Sequence, residues 1–167
     1  MPTSAATGPG SPASAPSPVP ADHDEVRTTL DTFFSAFVSG PRAHECGEVL
    51  RRVMLPTAVV VRTCGGEPTS YTVEEFIAPR IELLTSGAVE DFREWATDVR
   101  VDLFGDIAQA WCGYDKSWSQ GVEHHHGRGR KSIQLVRTGR GWLISAVAWD
   151  DERPGPAAPA RDQPPGQ

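Results

Sequence analysis

From Val89 onward the apolar side chains recur every second residue, and they do so for some sixty residues with only short interruptions. That pattern specifies long antiparallel strands. Phe92 to Phe104 reads as one strand, Gly105-Asp106 as a turn and Ile107 to Trp118 as a second strand. Ser119 to His126 reads as a loop, Lys131 to Thr138 as a third strand, Gly139-Arg140-Gly141 as a hairpin turn, and Trp142 to Trp149 as a fourth strand. A sheet this long must cover one face with something apolar, and the residues upstream supply it.

Upstream the period is helical. Val26, Leu30, Phe33, Phe34 and Phe37 fall at i, i+4, i+7, i+8 and i+11, one stripe of a first helix with acids in its opening turn. Ser39-Gly40-Pro41 ends it. A second helix, Ala43 to Met54, carries Cys46, Val49, Leu50 and Val53 on one side. Thr57 to Thr63 is β-branched and reads as a strand closed by Gly65-Gly66. Thr72-Val-Glu-Glu75 is a capping-box pattern that starts a third helix bearing Phe76, Ile77, Ile81 and Leu84, with Pro79 expected to kink or split it. Three helices followed by a long meander make an α+β architecture, a cone-shaped curved antiparallel sheet wrapped on three N-terminal helices.

The two ends differ from this centre. Residues 1–21 and 154–167 are rich in Pro, Ala, Ser and Gly and nearly free of large apolar side chains, so both read as disordered tails flanking a domain over residues 22–153. No apolar run approaches the roughly 18 residues of a membrane helix, and the N-terminus lacks the basic and apolar regions of a secretory signal. The net charge of −6 argues against general nucleic-acid binding. Cys46, Cys64 and Cys112 are odd in number and widely spaced, which suits reduced thiols in a cytoplasm.

The order helix, helix, strand, helix, long meander, ending SIQLVRTGRGWLISAVAWDDE (Ser132 to Glu152), resembles the nuclear transport factor 2-like superfamily, and within it the SnoaL-like and ketosteroid-isomerase-like bacterial proteins. The resemblance implies a pocket between helices and sheet. It implies either small-molecule binding, cofactor-independent isomerase, dehydratase (lyase) or cyclase chemistry on a polyketide-, steroid- or terpenoid-like substrate, or a non-catalytic dimerisation module. No cofactor is expected. A homodimer through the sheet face is. The first helix offers phenylalanines and no tyrosine, so the ketosteroid isomerase mechanism does not carry over residue by residue.

Strand alternation places Trp95, Val99, Val101, Leu103, Ile107, Trp111, Ile133, Leu135, Trp142 and Ile144 on one face, expected to meet the helices. Glu94, Asp98, Asp102, Cys112, Tyr114, Gln134 and Trp149 fall on the other, and any bulge exchanges the two sets beyond it. For acid–base chemistry the candidates are Glu94 or Asp98 as base and Tyr114 as proton donor. Candidate pocket residues are Phe33, Phe37, Phe76, Arg80, Trp95, Trp111, Gln134 and Trp149, around a small apolar or weakly acidic molecule. Arg80 shares the apolar stripe of the third helix, where it snorkels outward, pairs with an acid such as Glu94, or grips a ligand carboxylate.

The run GVEHHHGRGRK (Gly121 to Lys131) leaves several readings open. His124 and His126 point to one side of an extended chain and could chelate a metal, but no third ligand stands at a telling spacing, so no metal is expected. Arg128 and Arg130, spaced by glycines, could form an anion-binding rim or pair with Asp150-Asp151-Glu152.

Overall fold

The computed structural model describes residues 20–155. The expected tails 1–21 and 154–167 lie outside the described residues, apart from Pro20, Ala21, Pro154 and Gly155; Pro20 and Ala21 open the first helix.

Helix α1 spans Pro20–Ser35, α2 Ala43–Val53 and α3 Val73–Thr85. The apolar stripe of α1 is sunk completely: Val26, Leu30, Phe33, Phe34 and, just past the helix, Phe37 are all buried. Helix α3 starts at the capping box read from the sequence. The Glu75 amide donates to Thr72 Oγ1 at 3.3 Å and the Thr72 amide donates to Glu75 Oε2 at 2.8 Å. Of the expected kink or split at Pro79, the split does not occur: α3 is one continuous helix through it.

The strands are β1 (Met54–Arg62), β2 (Thr69–Tyr71), β3 (Glu90–Phe104), β4 (Ile107–Gln120), β5 (Glu123–Thr138) and β6 (Gly141–Asp151). They form one sheet in the order β2-β1-β6-β5-β4-β3. The β3–β6 meander is antiparallel as expected, but β1 pairs parallel to β6, so the sheet is mixed. Its curvature comes with three register shifts in the meander, two in β3, between Glu90 and Arg93 and between Ala96 and Asp98, and one in β6 opposite Gln134 and Leu135.

These shifts correct the face assignment. Thr97 is an extra residue, so Phe92 and Glu94 upstream of it and Val99, Val101 and Leu103 downstream all face inward. On β4 the inward set is Ala108, Ala110, Cys112 and Tyr114, whereas Ile107 and Trp111 are exposed on the convex side. In β6 the shift lets Ile144 and Val147 both face the core. An edge-to-face ring series then ties the helices to the sheet, running Phe33, Phe37, Phe76, Trp149 with centroid separations of 5.1, 6.2 and 5.9 Å. Each such pair adds about 0.5–1.5 kcal/mol beyond its buried area.

The histidine run is not a loop. Strands β4 and β5 meet in a two-residue turn at Gly121-Val122, with Gly121 at φ +60°, and His124 to His126 lie within β5. No helix among the described residues is long and apolar enough to cross a membrane.

Candidate functional site

A cavity of about 570 Å³ opens at the wide end of the cone, between α3, the segment after α1, and the ends of β3 and β4. Its walls are Phe37, Phe76, Pro79, Leu83, Leu84, Val89, Phe92, Trp118 and Trp149, and its polar groups are Arg80, Glu94, Lys116, Gln120 and Lys131. Glu94 reaches it because it precedes the extra residue in β3. That part of the strand is held from the other side by the turn after α1: the Glu94 amide donates to the Phe37 carbonyl at 3.1 Å and the Phe92 amide to Ser39 Oγ at 2.8 Å.

Glu94 and Lys131 form an ion pair at 3.0 Å, with side chains only 8% and 7% exposed. The contact does not meet hydrogen-bond geometry, and Glu94 Oε1 has no hydrogen-bond partner among the described residues. The Lys131 ammonium sits in an aromatic surround, 4.2 Å from the centroid of Tyr114, 5.5 Å from Trp149 and 5.7 Å from Phe37. Cation–π attraction replaces part of the hydration this cation has given up.

Below this pair is a second polar group. The Tyr114 hydroxyl donates to Asp151 Oδ1, and Lys116 Nζ donates to the same oxygen at 2.8 Å. Burial pushes the Asp151 carboxyl up, but the bonds from Lys116 and Tyr114 outweigh it and hold the group below the ordinary aspartate range. Burial first, and the Asp151 bond second, push the Tyr114 phenol well above its usual range, so at neutral pH it is a fixed donor.

Arg80 is half-buried on α3. Its guanidinium lies over the Phe76 ring at 3.7 Å and over Trp149 at 5.2 Å, and Nη1 donates to the Phe76 carbonyl at 2.8 Å. Desolvation lowers its pKa to about 10, with the field of Glu94 opposing. It has no ion-pair partner among the described residues.

The remaining sequence candidates do not converge on this cavity. Asp98 lies on the convex face, gripped by Arg130 Nη1 at 2.9 and 2.7 Å. Tyr114 is buried beside Lys131, turned to Asp151 and absent from the cavity wall. Trp95 and Trp111 face outward, Trp95 beside Arg93 at 4.9 Å, put there by the register shift in β3 and the true phase of β4; Gln134 is exposed on β5, opposite the buried Ile133 and Leu135. Phe33 is core. Phe37, Phe76, Arg80, Trp149 and Glu94 do line the cavity.

Arg128 pairs with Glu152, Nη2 donating to Oε1 at 2.8 Å, so both rim arginines already hold carboxylates of this chain. Their glycine spacing has a steric cause: a Cβ on Gly129 would sit 2.2 Å from the Asp150 carbonyl oxygen and 2.5 Å from the Tyr114 hydroxyl. His124 Nδ1 is 2.8 Å from Ser119 Oγ, and the His125 ring stacks on Trp118 at 5.2 Å. No three His, Cys, Asp or Glu side chains among the described residues are grouped to hold a metal ion.

Lys116 and Lys131 are not among the sequence candidates, and Asp151, named there as a partner for Arg128 and Arg130, accepts from Tyr114 and Lys116 instead. Lys131 carried a signal, since it shares the inward row of Ile133 and Leu135, where a lysine needs a buried partner.

No protein-family model matches the chain, and no curated protein matches it. Solved structures do. A Kribbella flavida protein is 17% identical, covering 80% of this chain and 92% of its own with a TM-score of 0.66. A nuclear transport factor 2-like superfamily protein of Salmonella enterica is 12% identical over 86% and 97%, TM-score 0.63. A Streptomyces avermitilis member of that family, provisionally named a dehydratase, is 18% identical over 80% and 97%, TM-score 0.62. At these identities the likeness is one of fold, and the fold of this chain is the nuclear transport factor 2-like α+β cone.

Proposed function

We propose that the chain is a small-molecule-binding protein whose ligand, compact and largely apolar, occupies the cavity at the mouth of the cone. The observation that carries this reading is the cavity itself. Its volume of about 570 Å³ suits an organic ligand, and nine apolar residues surround five polar ones. The Streptomyces neighbour's provisional name belongs to that protein; here it supports only an organic ligand. A thermal-shift screen of aromatic, polyketide-like and terpenoid compounds tests the proposal. Hits are expected, and they should vanish in Leu83→Trp, which places an indole at the cavity wall while leaving the core untouched. A screen without hits, or hits indifferent to Leu83→Trp, would sink it.

Acid–base catalysis draws support from Glu94 alone, because Tyr114 and Asp98 lie elsewhere; a turnover that survives Glu94→Gln removes it. The convex face favours the homodimer, since Ile107 and Trp111 there are 59% and 41% exposed. A monomer in sedimentation equilibrium at micromolar concentration refutes that part. The three free thiols support a reducing, cytoplasmic setting.

A further inference from the structure

The mouth of the cone holds three cations and too few anions. Lys131 is matched by Glu94 and Lys116 by Asp151, while Arg80 faces no carboxylate among the described residues. The cavity is therefore one positive charge in excess, and that charge sits on one side chain.

The posture of Arg80 is that of a receptor. A guanidinium has five N–H groups in one plane. Stacking on Phe76 occupies its face, and the Phe76 carbonyl takes one N–H. Four N–H groups are left without a protein acceptor among the described residues, and the side chain lines the cavity. Stacking also restricts the plane, so the free edge is held in advance for a flat, two-oxygen partner. A cation kept this way, with its charge disfavoured by desolvation, gains most from an anion arriving inside the cavity. Glu94 exerts its field on Arg80 without contacting it, and Lys131 at 3.0 Å offsets the repulsion that Glu94 would exert on an incoming anion.

We propose that the ligand class is an aromatic or other ring-bearing carboxylate, its carboxylate held edge-on by Arg80 and its ring body among Phe92, Trp118 and Trp149. This rests on the small-molecule reading above and specifies its chemistry.

The experiment is isothermal titration of the full chain with naphthalene-2-carboxylate and with its neutral isostere naphthalene-2-carboxamide, repeated on Arg80→Gln and Arg80→Lys. The acid is expected to bind wild type about 10- to 100-fold more tightly than the amide. Arg80→Gln should abolish that preference without weakening the amide, and Arg80→Lys should restore part of it, keeping the charge but losing the fork. Equal binding of acid and amide to wild type overturns the inference and leaves the small-molecule reading standing. An acid preference that persists in Arg80→Gln overturns the role of Arg80. Failure of both probes, while other apolar compounds bind, overturns the carboxylate class; failure of every compound overturns both readings. The wild-type comparison decides the ligand class even if a variant folds poorly.

Discussion

Replacing Lys131 by methionine isolates the energetics of the buried pair. At 3.0 Å and an effective dielectric near 20, the attraction is about 5 kcal/mol, comparable to the several kcal/mol each ion loses in leaving water. The pair is thus near balance as a whole, but either half alone is not. Lys131→Met strands the Glu94 carboxylate at 8% exposure, and the expected loss is about 3–5 kcal/mol. In a domain this size that lowers the Tm by roughly 10–20 °C. Adding Glu94→Leu should recover most of it, because methionine packs against Tyr114, Trp149 and Phe37 where the ammonium stood. Urea unfolding followed by tryptophan fluorescence at pH 7 measures all four corners of the cycle, and a coupling energy above about 2 kcal/mol is expected. Simple additivity of the two substitutions, or a loss below about 1 kcal/mol for Lys131→Met, refutes the reasoning. Either would mean that water in the cavity solvates both charges.

Gly129→Ala should cost about 2–4 kcal/mol, because its new methyl meets backbone at Asp150, whereas Gly127→Ala meets only the flexible Lys116 chain at 2.7 Å and should cost under about 1 kcal/mol; chemical denaturation compares them. Asp151→Asn should destabilise by about 1–2 kcal/mol at pH 7. The folded carboxyl of Asp151 titrates below its unfolded value, so its contribution is complete above the ordinary aspartate range near 3.9 and is lost as pH falls through the lower, folded value. The wild-type and Asp151→Asn stability curves should therefore converge on the acid side of about pH 4, and curves that stay parallel there contradict the assignment.

The helical half of the fold was legible because its determinants are local. The α1 stripe and the Thr72–Glu75 box each declare themselves within a few residues. The strand faces were not, for two reasons. Nothing in Ala96-Thr97-Asp98 marks the extra residue in β3, which exists to bend the sheet around the helices. On β4 the large Trp111 was expected inside, yet the phenylalanines of α1 already fill the cone, so the inward strand positions carry the small Ala108, Ala110 and Cys112. Side-chain size misleads where two layers share one volume. The same phase error displaced Trp95 and Trp111 from the expected pocket, whereas Gln134 keeps the face read for it, opposite Ile133 and Leu135, and that face lies outside the cavity. Arg80 is legible because a charge inside an apolar period stands out, and Lys131 obeys the same rule; Glu94 reads as part of the mixed face and turns inward only because of the extra residue at Thr97.

The extra residue in β3 also divides labour along one strand. Beyond Thr97 the strand answers to the packed interior, through Val99, Val101 and Leu103; before it, to the opening, through Phe92 and Glu94. Removing that single residue would turn Phe92 and Glu94 outward while the interior rows kept their places. Evolution, or an engineer, can in this way exchange what the molecule recognises without renegotiating what keeps it folded.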